Sequence, residues 1–324
     1  MRALVLNDFN GPLELTDLPR PTPAEGQVLV HVQACGLNPL DAKIRAGAAP
    51  HAKHPLPAIL GMDLAGIVED SGSGATEFQA GEEVYGMTGG VGGIPGALAE
   101  YAAVSVDLIA RKPSRLSMRE AAALPLAFIT SYSGLVDRAH LRAGQTALVL
   151  GGAGGVGHVA IQLARAVGAT VFATGGRRDR ELLTGLGATP IDYEREAIQD
   201  YVINFTGGKG FDVILDTVGG LDSAFAAVKH YGHVASALGW GTHALGPLSF
   251  REASYSGIFT LHALLTGENR AHHGEMLRIA GESVQFGALS PIVDPRRFAL
   301  ADAELAYHAV LDGSARVKIV VEMR

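Results

Sequence analysis

The stretch LVLGGAGGVGHVA, running from Leu148 to Ala160, constrains the fold more than any other part of the chain. An apolar run leads into five glycines within residues 151–157. Val156, Val159, Ala160, Leu163, Ala164 and Val167 then follow at helical spacing. Strand, glycine loop and helix in that order open a βαβ unit, and that context gives the glycines meaning. Gly152, Gly154 and Gly157 fit G-x-G-x-x-G in register. The first permits a tight turn, and the second leaves room for a pyrophosphate against the backbone. The third lets the helix pack close to the sheet. Ala153, Gly155 and Val156 complete a loop whose free N–H groups and helix dipole suit an anion. A glycine-rich turn without a ligand is the plainer alternative, and the flanking strands favour a dinucleotide.

From Gly144 onward the chain alternates. TALVLG, ATVFATG, TPIDY, FDVILDTVG and GHVASALG read as strands, and DRELLTGLG, AIQDYVINFTGG and LDSAFAAVKH as helices. That alternation predicts an α/β domain built on a doubly wound parallel sheet. SGIFTLHALL (256–265) reads as a further strand, and ARVKIVVEM as the last one. The first 120 residues differ in texture. Short apolar runs separated by Gly, Pro and Asp predict a compact β-rich unit. The glycine-rich TGGVGGIPGA (88–97) lacks strand-to-helix context and reads as a surface loop. A chain of 324 residues exceeds the roughly 250–300 at which one core stops growing, so two domains are expected.

No Asp or Glu occurs between the glycine loop and Asp179. Sites that prefer NAD usually carry an acid about twenty residues on, at the end of the second strand, to hold the ribose diol. Here that strand ends Thr174-Gly175-Gly176, followed by Arg177 and Arg178. Two guanidiniums can pair with a 2′-phosphate, which an acid would repel. NADPH is therefore the expected cofactor. The alternative is that the arginines start a solvated helix and Asp179 holds the ribose.

The net charge of −7, with no Lys/Arg run longer than two, excludes a basic nucleic-acid or anionic-membrane surface. No apolar run approaches the roughly 20 residues of a membrane span. The N-terminal MRALVLNDFNGPLEL reads as a strand and turn rather than a signal peptide. The single cysteine, Cys35, rules out an internal disulfide and any multi-cysteine zinc site. It suits a reducing, cytoplasmic location. It reads as a small buried apolar residue or, alternatively, a nucleophile. His51, His54, His272 and His273 read as surface histidines.

Taken together, EGQVLVHVQACGLNPLDAKIRAG (25–47), LGMDLAGIVEDSGSGATEFQAGEEVYG (60–86), REAAALPLAFITSYSGL (119–135), GFDVILDTVGG (210–220) and HAVLDGSARVKIVV (308–321) resemble the medium-chain dehydrogenase/reductase superfamily. The likeness is to its zinc-independent quinone oxidoreductase (zeta-crystallin-like) branch. It implies a GroES-like catalytic domain at 1–120 completed by 263–324, a Rossmann domain at 121–262, and an active site in the cleft. Zinc-dependent relatives carry G-x-C-x-x-D and G-H-E-x-x-G. The matching stretches here are GLNPLD and GMDLAG, so Asn38 and Met62 stand at ligand positions and no metal is expected.

The resemblance further implies that Asn38 and Thr130 face the nicotinamide and its ribose. Gly154 to Gly157 would meet the pyrophosphate, Arg177, Arg178 and Tyr193 the 2′-phosphate, and Leu238 and Gly239 the nicotinamide. Asn38, Asp41 and Lys43 are the catalytic candidates. Lys43 reads either as an oxyanion partner or proton donor, or as a charge on the cleft rim; Asp41 is expected to pin its loop through backbone N–H groups. The implied activity is NADPH-dependent hydride transfer to a quinone or α,β-unsaturated carbonyl by a homodimer. An enoyl or haloacrylate-type reductase and a non-catalytic NADPH-binding structural or sensor protein are the alternatives.

Overall fold

The computed structural model describes residues 1–315 and 317–323. Arg316, inside the expected last strand, lies outside the described residues. The chain packs as two units, one formed by Met1–Leu126 with Leu261–Arg324, the other by Ala127–Thr260.

The second unit is built on six parallel strands among the described residues. Their order across the sheet is Thr189–Asp192, Thr170–Gly175, Thr146–Leu150, Phe211–Asp216, Val228–Ser236 and Ser254–Gly257. Numbered along the chain from Thr146–Leu150, that is 3-2-1-4-5-6, the doubly wound order. Leu148, Phe172, Phe211, Ile214 and Phe225 fill the core on one face. The Phe172 and Phe211 rings meet edge to face at 5.2 Å. Strands buried on both sides have no polar face to alternate with, so they read as continuous apolar runs. The helix Gly157–Val167 follows the glycine loop and stops at Gly168, whose φ of +94° favours glycine.

Two boundaries differ from expectation. LDSAFAAVKH is helical only over Leu221–Ala227, and Val228 already starts the next strand. Val228 pairs with Phe211, while Lys229 Nζ sits 2.6 Å from Asp212 Oδ1 on the neighbouring strand. Tertiary pairing thus overrides local helix propensity. SGIFTLHALL is not one strand. The paired segment is Ser254–Gly257, and His262–Thr266 is a helix with Ala263 and Leu264 buried, ended by Gly267.

In the first unit, strand Gln27–Leu37 is central. It pairs antiparallel with Asp63–Ser71, Tyr101–Ser105 and, from the far end of the chain, Ile319–Glu322. The registers set Ile319 against Leu37 and Asp63 against Gly36. Gly36 has no substitute, because a Cβ there would lie 2.0 Å from the Ala122 carbonyl oxygen. Helix Arg270–Gln285 packs on the same unit. His273 on it is buried rather than solvated, and burial lowers its pKa to about 4. It lies three and four residues before the buried Met276 and Leu277, on the same helical face.

Candidate active site

The glycine loop is tied to the end of the neighbouring strand. Gly151 N–H donates to Thr174 Oγ1 at 2.9 Å, and Gly152 N–H donates to the Thr174 carbonyl at 2.8 Å. Gly154 forms an exposed crest where a Cβ would meet only the Gly151 carbonyl, at 3.3 Å. A Cβ on Gly157 would lie 2.1 Å from the Gly151 oxygen and 2.7 Å from Gly152 Cα. The cradle therefore exists only with glycine at 157, and its open crest fits a dinucleotide's pyrophosphate.

Beyond Gly175 the turn is closed by Asp179, whose Oδ2 accepts from Gly176 N–H at 2.9 Å. Arg178 beside it is 83% exposed, its Nε 3.8 Å from Asp179 Oδ1. Arg177 and Tyr193 are exposed, and the Tyr193 N–H reaches the Gly175 carbonyl at 3.4 Å. Thr174 and Gly175 themselves are buried. At the other half of the sheet, Asp216 is fully buried. Its Oδ1 accepts from Val218 N–H (3.1 Å) and Gly220 N–H (2.9 Å), and its Oδ2 accepts from Ser236 Oγ (2.8 Å). Ser236 Oγ in turn accepts from Leu238 N–H at 3.0 Å. Gly239 is packed so closely that a Cβ would strike the Tyr255 hydroxyl at 2.1 Å. Thr130 is buried in helix Pro125–Tyr132.

In the first unit, Asn38 precedes helix Pro39–Arg45 and is buried. Its backbone N–H donates to Asp41 Oδ2 at 2.8 Å, so Asp41 does pin the loop. Burial, with the Asp63 charge adding, pushes the Asp41 carboxyl up to about 7 against the opposing Asn38 N–H and Lys318. Lys43 is exposed while Asp41 is buried on the same short helix, so those two catalytic candidates do not converge. What does converge on Asn38 is Lys318 and Asp63. Lys318 Nζ donates to Asn38 Oδ1 at 2.6 Å and to Asp63 Oδ2 at 3.4 Å. Asn38 Nδ2 donates to Asp63 Oδ2 at 3.0 Å. Burial raises the Asp63 carboxyl above its usual range, opposed by Lys318 and Asn38.

Residues 24–114 match the family described as alcohol dehydrogenase GroES-like domain, and residues 155–271 that described as zinc-binding dehydrogenase. The NADPH-dependent alkenal/one oxidoreductase of Arabidopsis thaliana is 37% identical over 91% of this chain and 72% of its own length. The Homo sapiens quinone oxidoreductase is 30% identical over 97% of this chain and 95% of its own. The chain belongs to the medium-chain dehydrogenase/reductase superfamily, in its quinone oxidoreductase branch. An alcohol dehydrogenase superfamily protein from Novosphingobium aromaticivorans superposes on this reductase with a TM-score of 0.98 and 55% identity, covering all of both chains.

The zinc of the family name does not fit the donors present. In this reductase Asn38 Oδ1 already accepts from an ammonium, and Met62 is fully buried as an apolar side chain. A divalent cation at that place would sit against the Lys318 charge. Among the described residues, no group of three or more His, Cys, Asp or Glu is arranged to hold a metal. Cys35 is buried and burial raises its thiol pKa, which fits the small apolar residue and not a nucleophile.

Asp63 and Lys318 were not among the sequence candidates. The available signal was a lone lysine inside the apolar run VKIVV.

Proposed function

We propose that the protein is a zinc-independent, NADPH-dependent reductase of quinones or α,β-unsaturated carbonyls. The observation that carries this reading is the hydrogen-bonded ring of Asn38, Asp63 and Lys318, built on the residue that motif comparison sets at a zinc-ligand position, in a chain that also keeps the glycine cradle. Without a Lewis acid, an alcohol or isolated carbonyl is a poor hydride partner. A conjugated acceptor spreads the incoming charge itself and needs mainly orientation and hydrogen-bond donors at its oxygen.

When bound, the cofactor supplies the hydride. The residues' part is to hold the dinucleotide at the crest of Gly154 to Gly157, fix the Leu238–Gly239 turn through Asp216 and Ser236, and orient the acceptor around Asn38. An enone takes the hydride at its β-carbon and a solvent proton at its α-carbon. A quinone ends as the hydroquinone after protonation on oxygen.

NADPH preference rests on Arg177, Arg178 and Tyr193, and on the engagement of the Asp179 carboxylate by Gly176 N–H. Because Arg178 is so exposed, screening holds the preference to about tenfold, roughly 1.4 kcal/mol.

A panel of quinones, enones and enoyl thioesters, followed at 340 nm with NADPH and with NADH in the presence of a strong chelator, tests the reading. NADPH oxidation by a quinone or enone, undiminished by the chelator, is the expected result, and Arg178→Ala should weaken NADPH binding and narrow the preference while leaving NADH nearly unaffected. Turnover of enoyl thioesters alone would move the protein to the enoyl reductases. No turnover with any acceptor would leave a dinucleotide-binding protein without this chemistry.

The assembly reading is a homodimer. Among the described residues, no strand pairs with the outer edge of Ser254–Gly257, which ends the six-stranded sheet, and most of its residues are exposed. Such an edge is a liability unless covered, and two-fold dimers are the commonest oligomers. Light scattering should give twice the 33.7 kDa chain mass; a monomer at micromolar concentration refutes it. No helix among the described residues is long and apolar enough to cross a membrane. A cytoplasmic location, the setting in which the single thiol of Cys35 stays reduced, belongs to the same reading.

A further inference from the structure

The ring formed by Lys318, Asn38 and Asp63 joins three chain segments that are far apart in sequence. Every member is buried, Asp63 completely. The fourth arm of the cluster runs from Asp63 Oδ1, which accepts from Leu126 N–H at 3.0 Å in the first turn of helix Pro125–Tyr132. Both Asp63 oxygens are thereby engaged, one by that helix and one by the ring.

The ring also fixes which way the Asn38 amide faces. With its oxygen toward an ammonium and its NH2 toward a carboxylate, a flip would set donor against donor and acceptor against acceptor. The remaining Asn38 Nδ2 contact is to the Gly36 carbonyl at 3.4 Å. Both ends of the amide are therefore held by protein groups. Sequestering two opposite charges is costly, and well-packed apolar residues often serve stability as well or better. Packing alone therefore gives little reason for a lysine and an aspartate here. The orientation of a single amide at the head of helix Pro39–Arg45 does.

We infer that Lys318 and Asp63 are positioning residues, which lock the Asn38 amide and its loop in the arrangement the reductase uses. This rests on the functional reading above, in which Asn38 lies where the acceptor is oriented. Lys318 and Asp63 do not themselves meet the substrate.

The test compares Lys318→Met, Asp63→Asn and the double variant in the full chain. It uses thermal unfolding together with steady-state reduction of 1,4-naphthoquinone and 3-penten-2-one by NADPH. Each single change leaves one buried charge unpaired, so each should lower the Tm by about 10 °C. The double variant removes both charges and should regain most of that loss. Its kcat should nevertheless stay at least tenfold down, with the KM for NADPH changed less than threefold, because the ammonium that fixes the direction of the Asn38 amide is gone. A double variant whose kcat recovers along with its Tm overturns the inference and makes the cluster structural only. Single variants with unchanged Tm and kcat overturn it as well.

If the double variant does not fold, Lys318→Gln against Lys318→Met decides. Both lose the same charge, but only glutamine keeps a donor for Asn38. Activity retained in the glutamine variant alone supports the inference, and equal loss in both overturns it. A wild type that turns over neither acceptor refutes the functional reading, and the positioning claim is then read by NMR of 15N-asparagine-labelled protein. An Asn38 side-chain amide protected from exchange in the wild type and unprotected in Lys318→Met supports it; one unchanged by the substitution overturns it.

Discussion

Gly157→Ala should cost the protein at least a hundredfold in NADPH affinity. The added Cβ meets the Gly151 oxygen at 2.1 Å and Gly152 Cα at 2.7 Å, both of them backbone, so no side chain can swing aside. Either the helix start moves outward or the loop unwinds, and each breaks the alignment of the N–H groups that meet the pyrophosphate. Overpacking of this kind costs roughly 1–3 kcal/mol in stability. The larger effect falls on binding, since it depends on several amides at once. Gly185→Ala is the matched control, because a Cβ there has nothing within 4 Å. It should bind NADPH normally and gain up to about 1 kcal/mol in stability. Fluorescence titration of both variants checks this; a Gly157→Ala affinity within threefold of wild type would falsify the assignment of this loop as the cradle.

Asp216→Ala should be the most damaging single change in the second unit. It removes the acceptor for Val218 N–H, Gly220 N–H and the Ser236 hydroxyl together. Of the three donors only the Ser236 hydroxyl is buried, where a lost partner costs about 1–3 kcal/mol; the Val218 and Gly220 N–H groups are part-buried and add less. A total near 4 kcal/mol corresponds to a Tm drop of about 10 °C. Function should suffer beyond stability, because Ser236 Oγ would lose its anchor and with it the hold on Leu238 N–H. At a temperature where the variant is fully folded, kcat/KM for NADPH should fall at least tenfold. Asp216→Asn keeps one oxygen and should lose about half as much stability. A Tm within 2 °C of wild type for the alanine variant would show that the network is dispensable.

The second unit was legible because its signals are local. The apolar strand, the glycines and the helical period lie within twenty residues, and the same physics that makes them recognisable makes them fold. The boundary misplaced after Ala227 has a tertiary cause. Val228 and Lys229 look helical beside LDSAFAA, yet their partners Phe211 and Asp212 sit on another strand. The buried His273 was hidden by the polar composition of its helix, although its spacing to Met276 and Leu277 carried the information.

The cluster around Asn38 is the opposite case. Asn38 was found through its position in a motif, but a lysine reads as solvated until the strand pairing is known. Only the register of Ile319 against Leu37 places Lys318 beside Asn38. No window of sequence contains both residues.

That register also sets an order of events during biosynthesis. Residues 127–260 form a unit from one uninterrupted stretch, while the first unit draws on both sides of it. Until residues 319–322 have been translated, one edge of the strand Gln27–Leu37 stays open from Ala34 to Leu37, the segment leading into Asn38, while its other edge already pairs with Asp63–Ser71. The nascent chain therefore carries everything its dinucleotide cradle needs before it can complete the Asn38 cluster. Completion waits for Lys318, so a nascent chain that stops after the second unit has the glycine cradle but not the hydrogen-bonded ring around Asn38.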